Sequence, residues 1–381
     1  MAVTSGATEL APDLPGLAGQ DEGTVLVLRA LGLGDALTAV PALRGVRRAW
    51  PGRRVLLAAP EDVGGWLRDL GLVDGVVPTR GLEPLAWAEE AATVTRAHPA
   101  GHVAVNLHGS GPESHRVLLE TAPVQVVAFA SGEAGVDGPS WDPDEHEVDR
   151  WCRLVTEAGG ACSRDDLRLD APSSRGPHVV VHPGAASGSR RWPAERFAAS
   201  ARHLARAGHH VVVTGDGDER DLCARVVADA VGDRDGSAPG ASAGTVTDTA
   251  GTLDLPALAD LVATARLVVC GDTGVAHLAT AYGTPSVVLF GPTPPSAWGP
   301  ALDPDLHVVL WHGDDGAARH RGDPHADAVD PALARIAVDE VVAAAKELLS
   351  TAPGAVPVRC AGECGVVPRG DRAQRRRAAG A

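Results

Sequence analysis

Four short segments hold the side chains best suited to chemistry. In Val25-Leu-Val-Leu-Arg29-Ala-Leu-Gly-Leu-Gly34-Asp35, an apolar run ends at glycines and a carboxylate opens a helical pattern. An acidic residue there caps helix amides and favours the helix dipole. At the carboxyl end of a strand it can equally act as a general base. Gly32 and Gly34 lack the third glycine of a dinucleotide fingerprint, and no acidic residue closes the strand predicted near residue 54, which disfavours a nicotinamide cofactor. The second segment, His178-Val-Val-Val-His182-Pro-Gly184, runs into a small-residue loop with Ser187, Ser189, Arg190 and Arg191. Open amides, two hydroxyls and a guanidinium make an anion cradle; the alternative is a solvated loop with incidental arginines. In the third segment Gly215 and Glu219 follow a strand-like run. Asp216 and Asp218 read as caps, and Glu219 as a cap or as an acceptor for a ribose diol. The fourth is the most informative: Gly271-Asp272-Thr273-Gly274-Val-Ala-His277, then a strand ending in Phe290-Gly-Pro-Thr293. Asp272 and Thr273 would cap a short helix whose free N–H groups suit a diphosphate. His277 is either a satisfied structural group or a substrate contact.

The elements that must position these residues are legible as continuous apolar runs near 24–29, 54–58, 102–107, 124–129, 178–182, 210–214, 267–270, 286–290 and 307–311. Runs without alternation belong to strands covered on both faces. Helical patterns lie between them at 35–50, 193–207, 219–231 and 275–282, with a closing helix at 336–349. This alternation predicts an α/β fold of parallel, doubly wound sheets. A single core rarely grows beyond about 250–300 residues, so 381 residues imply two domains. The expected division is an amino-terminal segment 1–23 without order, a domain 24–165, a polar linker 166–177, a second domain 178–350 and an Arg-rich tail 351–381. Ligands of such sheets bind beyond the carboxyl ends of the strands. Two domains facing those ends at each other would enclose a cleft that closes about the linker.

Composition narrows the partners. A formal net charge of −15 excludes a general nucleic-acid binder. No apolar run reaches the ~18 residues of a membrane span, and the acidic start is wrong for a secretory signal, so a cytoplasmic location is expected. Arg369, Arg372, Arg375, Arg376 and Arg377 form either a solvated tail or a peripheral tether to membrane or phosphate. Cys360 and Cys364 lack the second pair that zinc requires, and the His/Asp loop at 312–327 matches no ligand spacing. No metal site is expected.

In this order and spacing the segments resemble glycosyltransferase family 9, best known for ADP-heptose:lipopolysaccharide heptosyltransferases. The likeness covers roughly residues 24–350. It rests on Leu28-Arg29, Leu33-Gly34-Asp35, Pro41 and Pro51, and on His182-Pro-Gly184, Arg190-Arg-Trp-Pro193, Glu195-Arg-Phe197, Asp272-Thr-Gly274, His277 and Phe290-Gly-Pro-Thr293. The resemblance implies a GT-B architecture of two Rossmann-like domains. It also implies inverting sugar transfer without metal or other cofactor, from a nucleotide-sugar donor such as ADP-heptose to a glycan or small-molecule hydroxyl. Asp35 then matches the catalytic base, with Arg29 and Gly34 on the acceptor side. Arg190 stands where the family usually has a lysine, and with Ser187, Ser189, Asp272, Thr273, Gly274 and His277 it would hold the donor diphosphate. Glu219 and Gly215 would meet the donor nucleoside. The 312–327 loop replaces a cysteine cluster found in many relatives. Other functions compatible with the segments are nucleotide-sugar epimerisation and binding without turnover.

Overall fold

The computed structural model describes residues 23–87, 101–232, 244–313 and 320–350. The expectations for the amino-terminal segment, the Arg-rich tail with its two cysteines, and the centre of the His/Asp loop fall outside those residues. The chain forms two compact units. One contains the residues up to Gly32, Ala39–Asp142 and Trp151–Ser163; the other contains Leu33–Thr38, Pro143–Arg150 and the chain from Arg164 onward.

The first unit is built on strands β1 (Thr24–Leu28), β2 (Arg54–Ala59), β3 (Gly75–Pro78), β4 (His102–Asn106) and β5 (Gln125–Val127), in the order β3-β2-β1-β4-β5. All pairings are parallel, with Thr24 beside Arg54 on one flank and His102 on the other. Every residue of β1 is buried, as a central strand covered on both faces requires. Leu26, Leu28, Leu56, Ala104 and Leu118 form part of its core.

The second unit has β6 (His178–His182), β7 (His210–Val213), β8 (Val246–Asp248), β9 (Leu267–Gly271), β10 (Ser286–Phe290) and β11 (His307–Trp311), in the order β11-β10-β9-β6-β7-β8. These pairings are also parallel. The order is that of a doubly wound nucleotide-binding sheet, and its direction reverses between β6 and β9, where a crevice opens at the strands' carboxyl ends. Val179, Val181, Phe197, Val211, Val269 and Leu289 pack its core, which Trp192 closes by donating its indole N–H to the Ile336 carbonyl at 3.2 Å.

The predicted helix 35–50 is two helices, α1 (Leu33–Thr38) and α2 (Val40–Ala49), parted at Ala39. Pro41 has no N–H for the carbonyl of Leu37, so one continuous helix cannot form there. Two strands were not predicted. β3 is only partly buried and β8 largely exposed; both are short edge strands without a continuous apolar run. Among the described residues no helix is long and apolar enough to cross a membrane.

Candidate functional site

The loops after β6 and β9 meet at the reversal point of the second sheet. After β9 the chain turns through Asp272 into helix α3 (Gly274–Ala281). Thr273 is its N-cap, its hydroxyl accepting the Val275 N–H at 3.3 Å. That leaves the amides of Thr273 and Gly274 at the positive end of the helix dipole, the arrangement that binds anions. Asp272 does not cap the helix: its backbone N–H donates to the Leu289 carbonyl at 3.1 Å, and its carboxylate is hydrogen-bonded to Thr293. The carboxyl is only 5% exposed. Burial raises its pKa to about 6, aided by the charge of Asp35 and opposed by Arg190 and the Thr293 hydrogen bond.

Arg190 ends a short turn of 3-10 helix, Gly188–Arg190, in the loop after β6. A Cβ on Gly271 would lie 3.1 Å from the Arg190 carbonyl, so the two loops touch. The guanidinium acts electrostatically on Asp272, yet its buried Nε finds no hydrogen-bond partner among the described residues. A buried donor of this kind normally has an acceptor. Ser187 and Ser189 are committed elsewhere: the Ser187 hydroxyl donates to the Pro324 carbonyl at 2.5 Å, and Ser189 is buried with its N–H on the Ala326 carbonyl at 2.8 Å. These two groups, expected on the diphosphate, are instead engaged by the backbone of the loop near residue 325.

Asp35 lies in the first turn of α1, half-buried. It is not the N-cap, though an acidic first turn still suits the dipole. The sequence reading sets this residue on the first domain, whereas α1 groups with the second unit. The cause is close packing of glycines: a Cβ on Gly34 would lie 3.0 Å from His277 Cδ2, and one on Gly274 3.0 Å from the Leu33 side chain. Gly34 thus serves the approach of two helix amino ends. The electrostatic influence of Asp35 on Asp272 follows from the same approach. His277 is 7% exposed and packs edge-to-face on Trp298, with ring centroids 6.1 Å apart.

Glu219 links two loops. Its carboxylate accepts the Asp216 N–H at 3.1 Å and the Ala185 backbone N–H, and it lies so close under Gly184 that a Cβ there would sit 2.1 Å from both oxygens. Burial, the largest effect, raises its pKa. Gly215 is equally tight, a Cβ there lying 2.7 Å from Cys223 Sγ. Asp216 is a cap as read, its carboxylate accepting the N–H groups of Asp218 and Glu219 at 2.9 and 3.0 Å. Arg191, which carries no expected role of its own, donates from Nε to the Ala185 carbonyl at 2.9 Å, and its charge favours the Glu219 carboxylate.

In the first unit, Arg29 is buried at 1% exposure, donating to the Leu107 carbonyl at 2.6 Å beneath the Trp151 ring, 4.9 Å from its centroid. It acts there as a strut between β1 and β4. Beside it, unpredicted, His108 accepts the Ala30 N–H at Nδ1 (3.3 Å), and burial together with the Arg29 charge lowers its pKa to about 4. A polar residue just past a predicted strand was the only available signal for it.

Comparison with known proteins bears on these residues. Residues 141–328 match the family model for glycosyltransferase family 9 (heptosyltransferase). Lipopolysaccharide heptosyltransferase 3 of Escherichia coli is 31% identical over 138 residues, 36% of this chain and 37% of that protein. Lipooligosaccharide heptosyltransferase 2 of Haemophilus ducreyi is 30% identical over 186 residues, 48% and 50% of the two chains. The chain thus spans half or less of the length of these curated relatives. Among solved structures, E. coli ADP-heptose lipopolysaccharide heptosyltransferase II superposes with a TM-score of 0.65 at 18% identity, covering 86% of this chain and 98% of that one. The glycosyl transferase family 9 protein of Veillonella parvula gives 0.64 at 19% identity over 86% and 98%. These likenesses identify the fold as GT-B, two Rossmann-like doubly wound domains. With the matched segment and the curated relatives, the chain is similar to glycosyltransferase family 9 over residues 141–328.

Proposed function

We propose that the chain is an inverting glycosyltransferase that moves a sugar, heptose foremost, from a nucleotide-diphosphate donor such as ADP-heptose to a hydroxyl of a glycan or small molecule. The observation that carries this reading is the buried, unpartnered Nε of Arg190 beside Asp272 and the amino end of α3. A diphosphate there would accept from Arg190 Nε and from the amides of Thr273 and Gly274. Asp35, in the helix packed against α3, takes the proton from the acceptor hydroxyl as it attacks the anomeric carbon. The bond from that carbon to the diphosphate oxygen breaks, and the charge gathering on the leaving group is held by the guanidinium and the helix dipole. These fixed positive groups do the work for which other transferases use a divalent ion, and no cofactor takes part. Glu219 and Gly215 shape the side towards the nucleoside. The solved E. coli heptosyltransferase in complex with ADP supports an adenine nucleotide as the donor's leaving group. The enzyme acts in the cytoplasm on a free or membrane-borne acceptor.

A thermal-shift panel of nucleotides and nucleotide sugars tests this, because a ligand selective for the native state raises the melting temperature by mass action. ADP and ADP-sugars are expected to raise it most. A panel in which no nucleoside diphosphate does so contradicts the reading.

A further inference from the structure

The chain from residue 320 to 330 forms a strap over the loop that bears Arg190, and among the described residues its hydrogen-bond partners belong to the second unit. The three-residue turn Gly188–Arg190 has two backbone hydrogen bonds of its own, from the Arg190 and Arg191 N–H groups to the Ser187 and Gly188 carbonyls at 3.2 and 3.0 Å, and its backbone is also gripped from outside. Ser189 donates its N–H to the Ala326 carbonyl at 2.8 Å and accepts the Asp330 N–H at 3.2 Å. The Ser187 hydroxyl donates to the Pro324 carbonyl at 2.5 Å. Gly188 faces the Asp327 carbonyl so closely that a Cβ would lie 1.8 Å from it. At the far end of the strap, the Gly322 N–H donates to the Pro292 carbonyl at 3.0 Å, next to the Thr293 that holds Asp272.

Asp330 fastens the strap. It is 5% exposed, caps the helix Pro331–Arg335 through the Ala332 N–H at 2.8 Å, and receives His320 Nε2 at 3.0 and 3.1 Å on its two oxygens. His320 therefore closes the strap on itself across ten residues. The geometry points to the His320–Asp330 contact as a positioning device for the Arg190 guanidinium, acting on the donor diphosphate without touching it. This inference rests on the reading of Arg190 as a diphosphate ligand. A change at His320 should then loosen the turn, misaim the guanidinium and weaken donor binding, while the Asp330 cap survives.

The test is a double-mutant cycle read by titration calorimetry with ADP. His320→Ala is expected to weaken ADP binding about tenfold, and His320→Gln, which keeps an N–H for Asp330, to restore most of it. In an Arg190→Ala background the His320→Ala change should have little further effect, because the group it positions is gone. Additive losses, or an alanine variant that binds like wild type, would overturn the inference. Arg190→Ala binding as tightly as wild type would overturn the diphosphate reading beneath it, so the two failures are distinct. If His320→Ala does not fold, His320→Phe retains the ring's bulk without its N–H and makes the same test.

Discussion

Replacing Arg190 by alanine removes one partner of a proposed charge-assisted contact and one half of a buried electrostatic balance. A hydrogen bond to a charged group contributes about 1.5–3 kcal/mol, and each 1.4 kcal/mol is about tenfold in affinity, so ADP binding should weaken about 10- to 100-fold. Arg190→Lys, which keeps the charge but loses the fork, should fall between. The same change acts on the ligand-free protein. Burial and Asp35 push the Asp272 carboxyl up, and Arg190 pulls it down, to a net value of about 6. Without the guanidinium that value climbs further. A carboxyl raised in the folded state contributes stability that is fully present below its unfolded pKa and is lost as pH rises through the folded one. For wild type that loss runs from about pH 4 to about 6; in Arg190→Ala it should extend above 6. Calorimetry with ADP at pH 7 and melting curves of the free protein from pH 4 to 8 measure the two effects. Binding within twofold of wild type would refute the role of Arg190, and an unmoved pH window would refute its coupling to Asp272.

Other substitutions probe separate parts of the account. Asp35→Asn keeps the size of the side chain and removes the base, so turnover should fall ~10²–10⁴-fold while calorimetry shows ADP binding nearly unchanged. Asp272→Asn removes the titrating group itself. The displacement from its ordinary 3.8 to about 6 converts to about 3 kcal/mol, so the variant should gain stability relative to wild type as pH rises from 4 to 7 in denaturant titrations. A difference that does not grow with pH would count against the buried carboxyl. Gly184→Ala would set a methyl 2.1 Å from the Glu219 oxygens and force the carboxylate off Ala185 and Asp216. Overpacking of that kind costs about 1–3 kcal/mol, or roughly 3–10 °C in melting temperature, and an unchanged Tm would show that the loop has room.

What the sequence made legible follows from the physics of each element. The central strands are continuous apolar runs because helices cover both their faces, and they appear where the runs lie. β3 and β8 escaped because a four-residue or three-residue edge strand needs no such run, and Thr247 and Asp248 look like loop. Pro41 marks the break at Ala39, but the apolar periodicity runs through it and reads as one helix. Residue types at the phosphate loops were readable; their partners were not. Whether Ser187 faces a ligand or the Pro324 carbonyl depends on a contact 137 residues away, which no local pattern encodes. The burial of Arg29 under Trp151 is equally non-local. Glu219 and Gly184 are close neighbours in space only because adjacent parallel strands β6 and β7 bring their loops together. The grouping of α1 with the second unit likewise rests on Gly34 and Gly274 meeting, each a commonplace glycine in isolation.

The account depends on where a nucleoside diphosphate settles. A crystal structure of the full chain with ADP should show the terminal phosphate accepting from Arg190 Nε and from the backbone amides of Thr273 and Gly274. Electron density for the diphosphate at any other place, with the Arg190 Nε still lacking an acceptor, would contradict it.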